Sequence, residues 1–196
     1  MERSIKEPLG DNMEEEFVRV PQDRVGTIIG KQGKTKEEIE KNLNVNIVIK
    51  DGMVRISEKN TEDPLAVWKA KDVIKAMARG FSPEKAFQLF KNGKIFEILD
   101  LDQYAKTKND LLREKGRVIG KNGKTREYIE HMTGAYISVY GKTVSFIGDF
   151  EEVYDAKKAV EIILRGKPHS AAYYYLENAA KERRKANKVR IWKDSE

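Results

Sequence analysis

Apolar positions recur along the chain with periods of two and about 3.6 residues, and the switches between them mark out elements. Val45–Ile49 is a β-branched run, Asp51-Gly52 is a two-residue turn signal, and Met53–Ser57 alternates apolar and polar positions. Together they predict a hairpin. Ala135–Tyr140 and Thr143–Ile147, separated around Gly141, predict a second one. A helix is expected after each hairpin. Pro64–Arg79 spaces Val67, Ala70, Val73, Ile74 and Met77 on one face behind Asp63, and Asp149–Arg165 does the same with Phe150, Val153, Ala156, Val160 and Ile163 behind Asp149. One further strand leads each block, Glu15–Val20 and Ile95–Leu101. Between them, Gly80–Gly93 carries Ser82-Pro83 and then Ala86, Leu89 and Phe90, which predicts one short packed helix. A last helix is expected from Ser170, with Tyr173, Tyr174, Leu176, Ala179 and Ala180 as its apolar part. A basic stretch follows: Lys181, Arg183, Arg184, Lys185, Lys188 and Arg190.

The two blocks are copies of each other. Gly26–Glu40, GTIIGKQGKTKEEIE, and Gly116–Glu130, GRVIGKNGKTREYIE, align without a gap at an offset of 90 residues, with 10 of 15 positions identical. Such an internal repeat sets the architecture. Each copy reads strand, short helix, glycine loop, helix, strand, strand, long helix. The second copy has extra residues, Asp102–Lys115, before its loop, and Asn109–Lys115 is expected to extend the short helix backwards.

The chemistry concentrates in Gly30-Lys31-Gln32-Gly33 and Gly120-Lys121-Asn122-Gly123. Glycine at both ends permits positive φ and a sharp turn. The helices that follow, from Lys34/Thr35 and Lys124/Thr125, point unsatisfied N–H groups and the positive end of their dipole at the loop, an arrangement that attracts phosphate. One Lys and one amide between the glycines suit phosphate and ribose oxygens. Gly33-Lys34-Thr35 and Gly123-Lys124-Thr125 also look like the end of a nucleotide-binding P-loop. That motif needs a glycine five positions earlier, where Ile28 and Val118 stand, and it follows directly on a strand. No dinucleotide-binding glycine pattern occurs either.

Composition narrows the remaining classes. The chain has 196 residues, 38 Lys+Arg against 32 Asp+Glu, and a net charge of +6, so the distribution of charge matters more than its total. It has no Cys, which excludes disulfides, thiolate zinc sites and cysteine nucleophiles. His131 and His169 stand apart from any catalytic company, and no metal or cofactor is expected. Abundant Lys and Glu without Cys is a composition found in heat-adapted proteins. Met1–Glu16 is polar and has no apolar run of signal-peptide length, and no 18-residue apolar stretch is present, so a cytoplasmic protein is expected. From Arg113 to Arg126 the positive residues are Arg113, Lys115, Arg117, Lys121, Lys124 and Arg126, opposed by Glu114 alone. Around the first loop they are Arg19, Arg24, Lys31, Lys34 and Lys36, opposed by Asp23. The second copy is therefore expected to be the stronger reader. Glu37, Glu38, Glu40, Glu127 and Glu130 are read as favouring the N-terminal ends of their helices. Tyr173, Tyr174 and Tyr175 are read as packing residues, as are Trp68 and Trp192.

The repeated motif and the order of elements resemble the KH domain, whose GXXG loop clamps about four nucleotides of a single strand. The resemblance implies an α+β fold: two tandem type I KH domains, each a three-stranded antiparallel sheet with three helices, plus a C-terminal helix. Expected bounds are 14–80 and 95–166 for the domains, 81–94 for the connector and 167–196 for the last helix and tail. It also implies a groove beside each loop, floored by the second strand and walled by the first helix. In the second copy this groove takes Arg117, Val118, Ile119, Thr125, Ile137, Ser138 and Val139, joined by Gly120, Lys121, Asn122, Gly123, Lys124 and Arg126. In the first copy it takes Thr27, Ile28, Ile29, Thr35, Ile47, Val48 and Ile49, with Gly30, Lys31, Gln32, Gly33 and Lys34.

Residues 14 to 190 also resemble a narrower family, the two-KH partner-of-Nob proteins of small ribosomal subunit maturation. The features that carry this are the module spacing, Gly80-Phe81-Ser82-Pro83-Glu84-Lys85-Ala86, the insertion before the second loop, and Gly166-Lys167-Pro168-His169. The resemblance implies binding of single-stranded RNA at the 3′ end of small-subunit rRNA, no enzymatic activity, and partnership with the rRNA-processing endonuclease and translation initiation factor two. Two intact loops favour an archaeal member. The other readings are an exosome-type or general RNA-binding adaptor, and a protein scaffold that uses KH folds without RNA. An exosome cap usually adds a five-stranded barrel, for which the chain has no run of strands.

Overall fold

The computed structural model describes residues 15–59, 63 and 65–193, with side chains of the last helix described as far as Lys185. The first module runs β1 (Glu15–Arg19), α1 (Gln22–Ile29), α2 (Lys34–Leu43), β2 (Val45–Lys50), β3 (Met53–Glu58) and α3 (Ala66–Ala78). A connector holds α4 (Pro83–Ala86). The second module runs β4 (Lys94–Asp100), α5 (Lys108–Ile119), α6 (Lys124–Thr133), β5 (Tyr136–Tyr140), β6 (Thr143–Asp149) and α7 (Phe150–Leu164), and α8 (His169–Lys193) follows. Each module has an antiparallel three-stranded sheet, ordered β1-β3-β2 and β4-β6-β5. This is the α+β arrangement expected. β2 and β5, the strands that follow the helix after each glycine loop, each lie at an edge of their sheet.

Alternation decides which face is buried. Val18, Val45, Ile47, Val54 and Ile56 point at α1, α2 and α3 and meet Ile28, Ile39, Val67, Val73, Ile74 and Met77 in the first core. Leu99, Ile137, Val144 and Phe146 meet Val118, Ile129, Val153, Ala156, Val160 and Ile163 in the second. The opposite faces of the two sheets differ. In the first module that face is open, with Phe17 56%, Met53 43% and Val48 42% exposed. In the second it is covered by the first module. Ile147 is fully buried in the first core, and the Phe96 ring lies 6.5 Å from buried Phe81, edge to face. Hydrogen bonds reinforce the seam. Ser138 Oγ donates to the Arg79 carbonyl at 2.9 Å, and Tyr140 Oη donates to Asp23 at 2.5 Å.

Several local expectations shift. Helix α3 starts at Ala66, but Asp63 still serves its entry: its carboxylate accepts from Leu65 N–H at 2.9 Å and its carbonyl from Ala66 N–H at 3.0 Å. Pro64 lies outside the described residues. The connector is not one helix. After α4 it tightens into a 3-10 turn, Phe87–Phe90, whose two phenyl rings stack at 4.9 Å. The insertion in the second module lengthens α5 to 12 residues against 8 for α1, and a Thr107–Asp110 capping box fixes its start. Trp68, read as a packing residue, is 52% exposed with the Lys71 ammonium 4.8 Å from its ring. The side chains of Lys188, Arg190 and Trp192 lie outside the described residues.

Helix α8 is fastened to the second module through Ala172 and Leu176, which are fully buried. Tyr173 stacks obliquely on Tyr128 with ring centroids 4.2 Å apart. Tyr175 Oη donates to Asp155 at 2.8 Å; burial, and then this bond, push the phenol well above its ordinary range. Arg183 pairs with the same carboxylate at 3.3 Å. Arg183, one cation of the basic stretch, thus fastens the helix to the second module. No helix among the described residues is long and apolar enough to cross a membrane.

Candidate nucleic-acid interface

The two glycine loops have one conformation. Gly30 lies at φ 72°, ψ 176° and Gly120 at φ 73°, ψ 174°. Gln32 and Asn122 are both left-handed, at φ 56° and 54°, and Gly33 and Gly123 both lie at φ 80°, ψ 0°. The first glycine is required twice over. Its φ is positive, and a Cβ there would stand 2.1 Å from Thr35 Oγ1 in one copy and 2.2 Å from Thr125 Oγ1 in the other. The second glycine is required for its φ alone in the first copy, where a Cβ would meet nothing nearer than 3.9 Å. Thr35 and Thr125 therefore seat on the first glycine of their own loop, Gly30 and Gly120.

Helices α2 and α6 begin directly at the loop with no side-chain cap on their first N–H groups. Lys31, Gln32, Lys34, Lys121, Asn122 and Lys124 are all exposed beside those N–H groups. Each loop thus presents two ammonium groups, one amide and a helix start to solvent, a surface built for an anion.

The remaining predicted residues divide into three sets. Val118 and Ile137, like Ile28 and Ile47 in the first copy, face the cores and are at most 2% exposed. Their side chains build the cores rather than the surface. Thr125 is likewise buried, covered by the Tyr173 hydroxyl at 3.2 Å. Arg117 is turned away from the edge strand. It pairs with buried Glu114 at 3.1 Å and donates to the Lys167 carbonyl at 2.8 Å, while His169 Nε2 meets the Arg117 carbonyl at 2.8 Å. Arg113 is spent on Asp110 and Glu114 at 3.0 and 3.2 Å. The charge advantage of the second copy is smaller than its sequence suggests.

Arg126, Ile137, Ser138 and Val139 do come together. They line one groove of about 350 Å³ whose far wall is Arg24, Gly80, Phe81, Ser82 and Lys85. This groove is walled by α6 and by the first module; α5, the wall expected beside β5, also packs against that strand but does not line this opening. Arg24, read as a loop cation, is a strut: its Nε donates to the Met77 carbonyl at 2.8 Å and Nη2 to the Phe81 carbonyl at 2.6 Å, with the guanidinium over the Tyr140 ring. Lys85 lies 5.2 Å from the centroid of Tyr136. Sequence reading missed these residues because their partners are more than fifty positions away.

Glu40 and Glu130 were also misread. Each sends Oε1 to an N–H of the edge strand, Ile47 at 2.8 Å and Ile137 at 2.7 Å. Glu130 holds Arg126 and Lys85 as well, both at 3.7 Å. The signal was available, since this Glu is one of the ten identical positions of the repeat. Glu130→Ala should cost about 1–3 kcal/mol by stranding the Ile137 N–H. Glu130→Gln, which keeps an acceptor, should stay close to wild type in the same urea titration; equal losses would remove the hydrogen bond as the cause.

A KH domain model matches residues 15–76, and a model described as eukaryotic type KH-domain (KH-domain type I) matches residues 95–181. The chain is 47% identical over 189 residues to KH domain-containing protein MJ0443 of Methanocaldococcus jannaschii, covering 94% of this chain and 82% of that protein. It superimposes on Dim2p of Pyrococcus horikoshii OT3 with a TM-score of 0.79 and 48% identity, over 84% of this chain and 99% of that one. The chain belongs to the Dim2/PNO1 family of two-KH proteins. Within this family it is 34% identical over 134 residues to RNA-binding protein PNO1 of Oryzias latipes, covering 67% of this chain but 55% of PNO1. It also matches a chain of the a/eIF2alpha–aDim2p–rRNA complex of P. horikoshii with a TM-score of 0.83 and 47% identity, over 88% of this chain and 97% of that one.

Proposed function

We propose that this Dim2/PNO1 chain binds single-stranded RNA at the 3′ end of small-subunit rRNA through its two GXXG loops and serves maturation of that subunit in the cytoplasm. The observation that carries the reading is the pair of loops with matching dihedrals. Each offers uncapped helix N–H groups and exposed Lys-amide pairs at Lys31-Gln32 and Lys121-Asn122. The P. horikoshii relative found together with rRNA and a/eIF2alpha supports both the ligand and an initiation-factor partner. The rRNA-processing endonuclease is the second partner we propose. On this reading the chain acts by binding and positioning, with the ammonium groups, amides and uncapped helix N–H groups of its two loops as the contacts.

Titration with a short RNA of that 3′-end sequence tests the reading. If four phosphates are gripped, log K should fall linearly with log salt at a slope of about −3, near 0.7 per single-strand phosphate. A salt-independent affinity would rule out the phosphate grip.

A further inference from the structure

The second groove ends at Gly80, and across the end of α3 from it lies another cleft. Arg79, the next residue back, lines a separate opening of about 320 Å³ between β1, the C-terminal turns of α3 and β4. Arg19, Lys75 and Arg79 converge on it from two elements, and Phe17 and Ile98 give it an apolar side. None of the residues lining it is acidic. The nearest acids on β1 are committed elsewhere: Glu15 pairs with Arg55 at 3.5 Å and Glu16 with Lys71 at 2.7 Å. Asp72, one turn before Lys75, is partly buried, and that burial raises its carboxyl above the ordinary range.

A bland reading accounts for part of this. Lys75 and Arg79 stand in the last turns of α3, where cations complement the helix dipole. It does not account for Arg19, which comes from a strand, or for a phenyl ring left 56% exposed beside the three cations. Cations with an interleaved aromatic ring are what a single-stranded nucleic acid needs, with phosphates on the charges and a base on the ring.

We propose that this cleft is a third RNA-contact site, which takes the stretch of strand that continues beyond the second groove, its phosphates on Arg19, Lys75 and Arg79 and a base against Phe17. The inference rests on the RNA-binding reading above but uses neither GXXG loop. Its place fits: Gly80 lines the groove and Arg79, its neighbour in the chain, lines the cleft.

The test uses the full chain and two RNAs, one of the groove-spanning length and one extended at both ends. Wild type should bind the extended RNA more tightly and with a steeper salt dependence. The variant Arg19→Gln/Lys75→Gln/Arg79→Gln should lose that gain, with the slope for the extended RNA reduced by about 2, while binding the short RNA like wild type. Phe17→Ala should weaken the extended RNA about tenfold and leave the short one alone. If the triple variant does not fold, Arg19→Gln alone, at an exposed strand end, should lower the slope by about 0.7. Cleft variants that bind the extended RNA as wild type does would overturn the proposal. Failure of wild type to bind the short RNA would count against the GXXG reading instead, and the extended RNA would still decide the cleft.

Discussion

Lys121→Asp/Asn122→Asp is expected to weaken binding of the rRNA 3′ end by about a hundredfold or more. The change removes an exposed ammonium and an amide from the loop and puts two carboxylates where a phosphate should sit. Loss of a charge-assisted hydrogen bond together with the new repulsion amounts to about 3 kcal/mol, and each 1.4 kcal/mol is tenfold. The fold should be indifferent, because both side chains are exposed and neither joins a core. Lys31→Asp/Gln32→Asp is the companion measurement. The loops share their dihedrals, and the structure ties Arg113 and Arg117 to Glu114, so the second copy keeps little electrostatic advantage. Both double variants should therefore lose affinity. Loss in the second variant alone would make the first loop a support surface. No loss in either, with both confirmed folded, would sink the GXXG reading and turn attention to the scaffold reading.

The second large effect is on stability. Phe81→Ala should cost about 3–5 kcal/mol, the range for truncating a buried aromatic ring. Phe81 is 2% exposed, meets Phe96 of the second module edge to face, and its carbonyl anchors Arg24 at 2.6 Å. The ring therefore belongs to the seam as much as to the first core. Urea unfolding should show the midpoint falling and the single transition broadening or splitting as the modules uncouple. Phe87→Ala, at a partly buried ring stacked on Phe90, is the control and should cost less. A loss below about 1 kcal/mol at Phe81 would mean that the seam does not depend on this ring.

What could be read from the sequence were features with local causes. The strands, the long helices and both loops follow from periodicity, turn chemistry and the repeat, each within a window of a few residues. The loops' positive φ at Gly30, Gly33, Gly120 and Gly123 was legible for the same reason; the left-handed Gln32 was not, because a long side chain seldom takes that conformation, whereas Asn122 is of a type enriched there. The seam was invisible. Arg24 looks like one more basic residue near a loop until Met77 and Phe81 fold beneath it, and Ser138 looks like a groove residue alone until the Arg79 carbonyl makes it part of the seam as well. The tie from Glu130 to Ile137 spans seven residues, and helix-dipole reasoning does not reach this side chain, which stands in the second turn of α6. Burial decided the rest: alternation along β5 shows that Ile137 and Ser138 face opposite ways, but it cannot say that the far side is covered by another module.

The paired glutamates have a consequence for solubility. An edge strand with free N–H and C=O groups is a template on which another chain can add a strand and begin to aggregate. A groove that reads bases along β2 or β5 needs that edge to stay open. Glu40 and Glu130 reconcile the two demands, because each carboxylate occupies one outward N–H, at Ile47 and Ile137, and sets a negative charge against an incoming backbone. The edge is thereby made a poorer template for an added strand without being covered by another element of its own sheet.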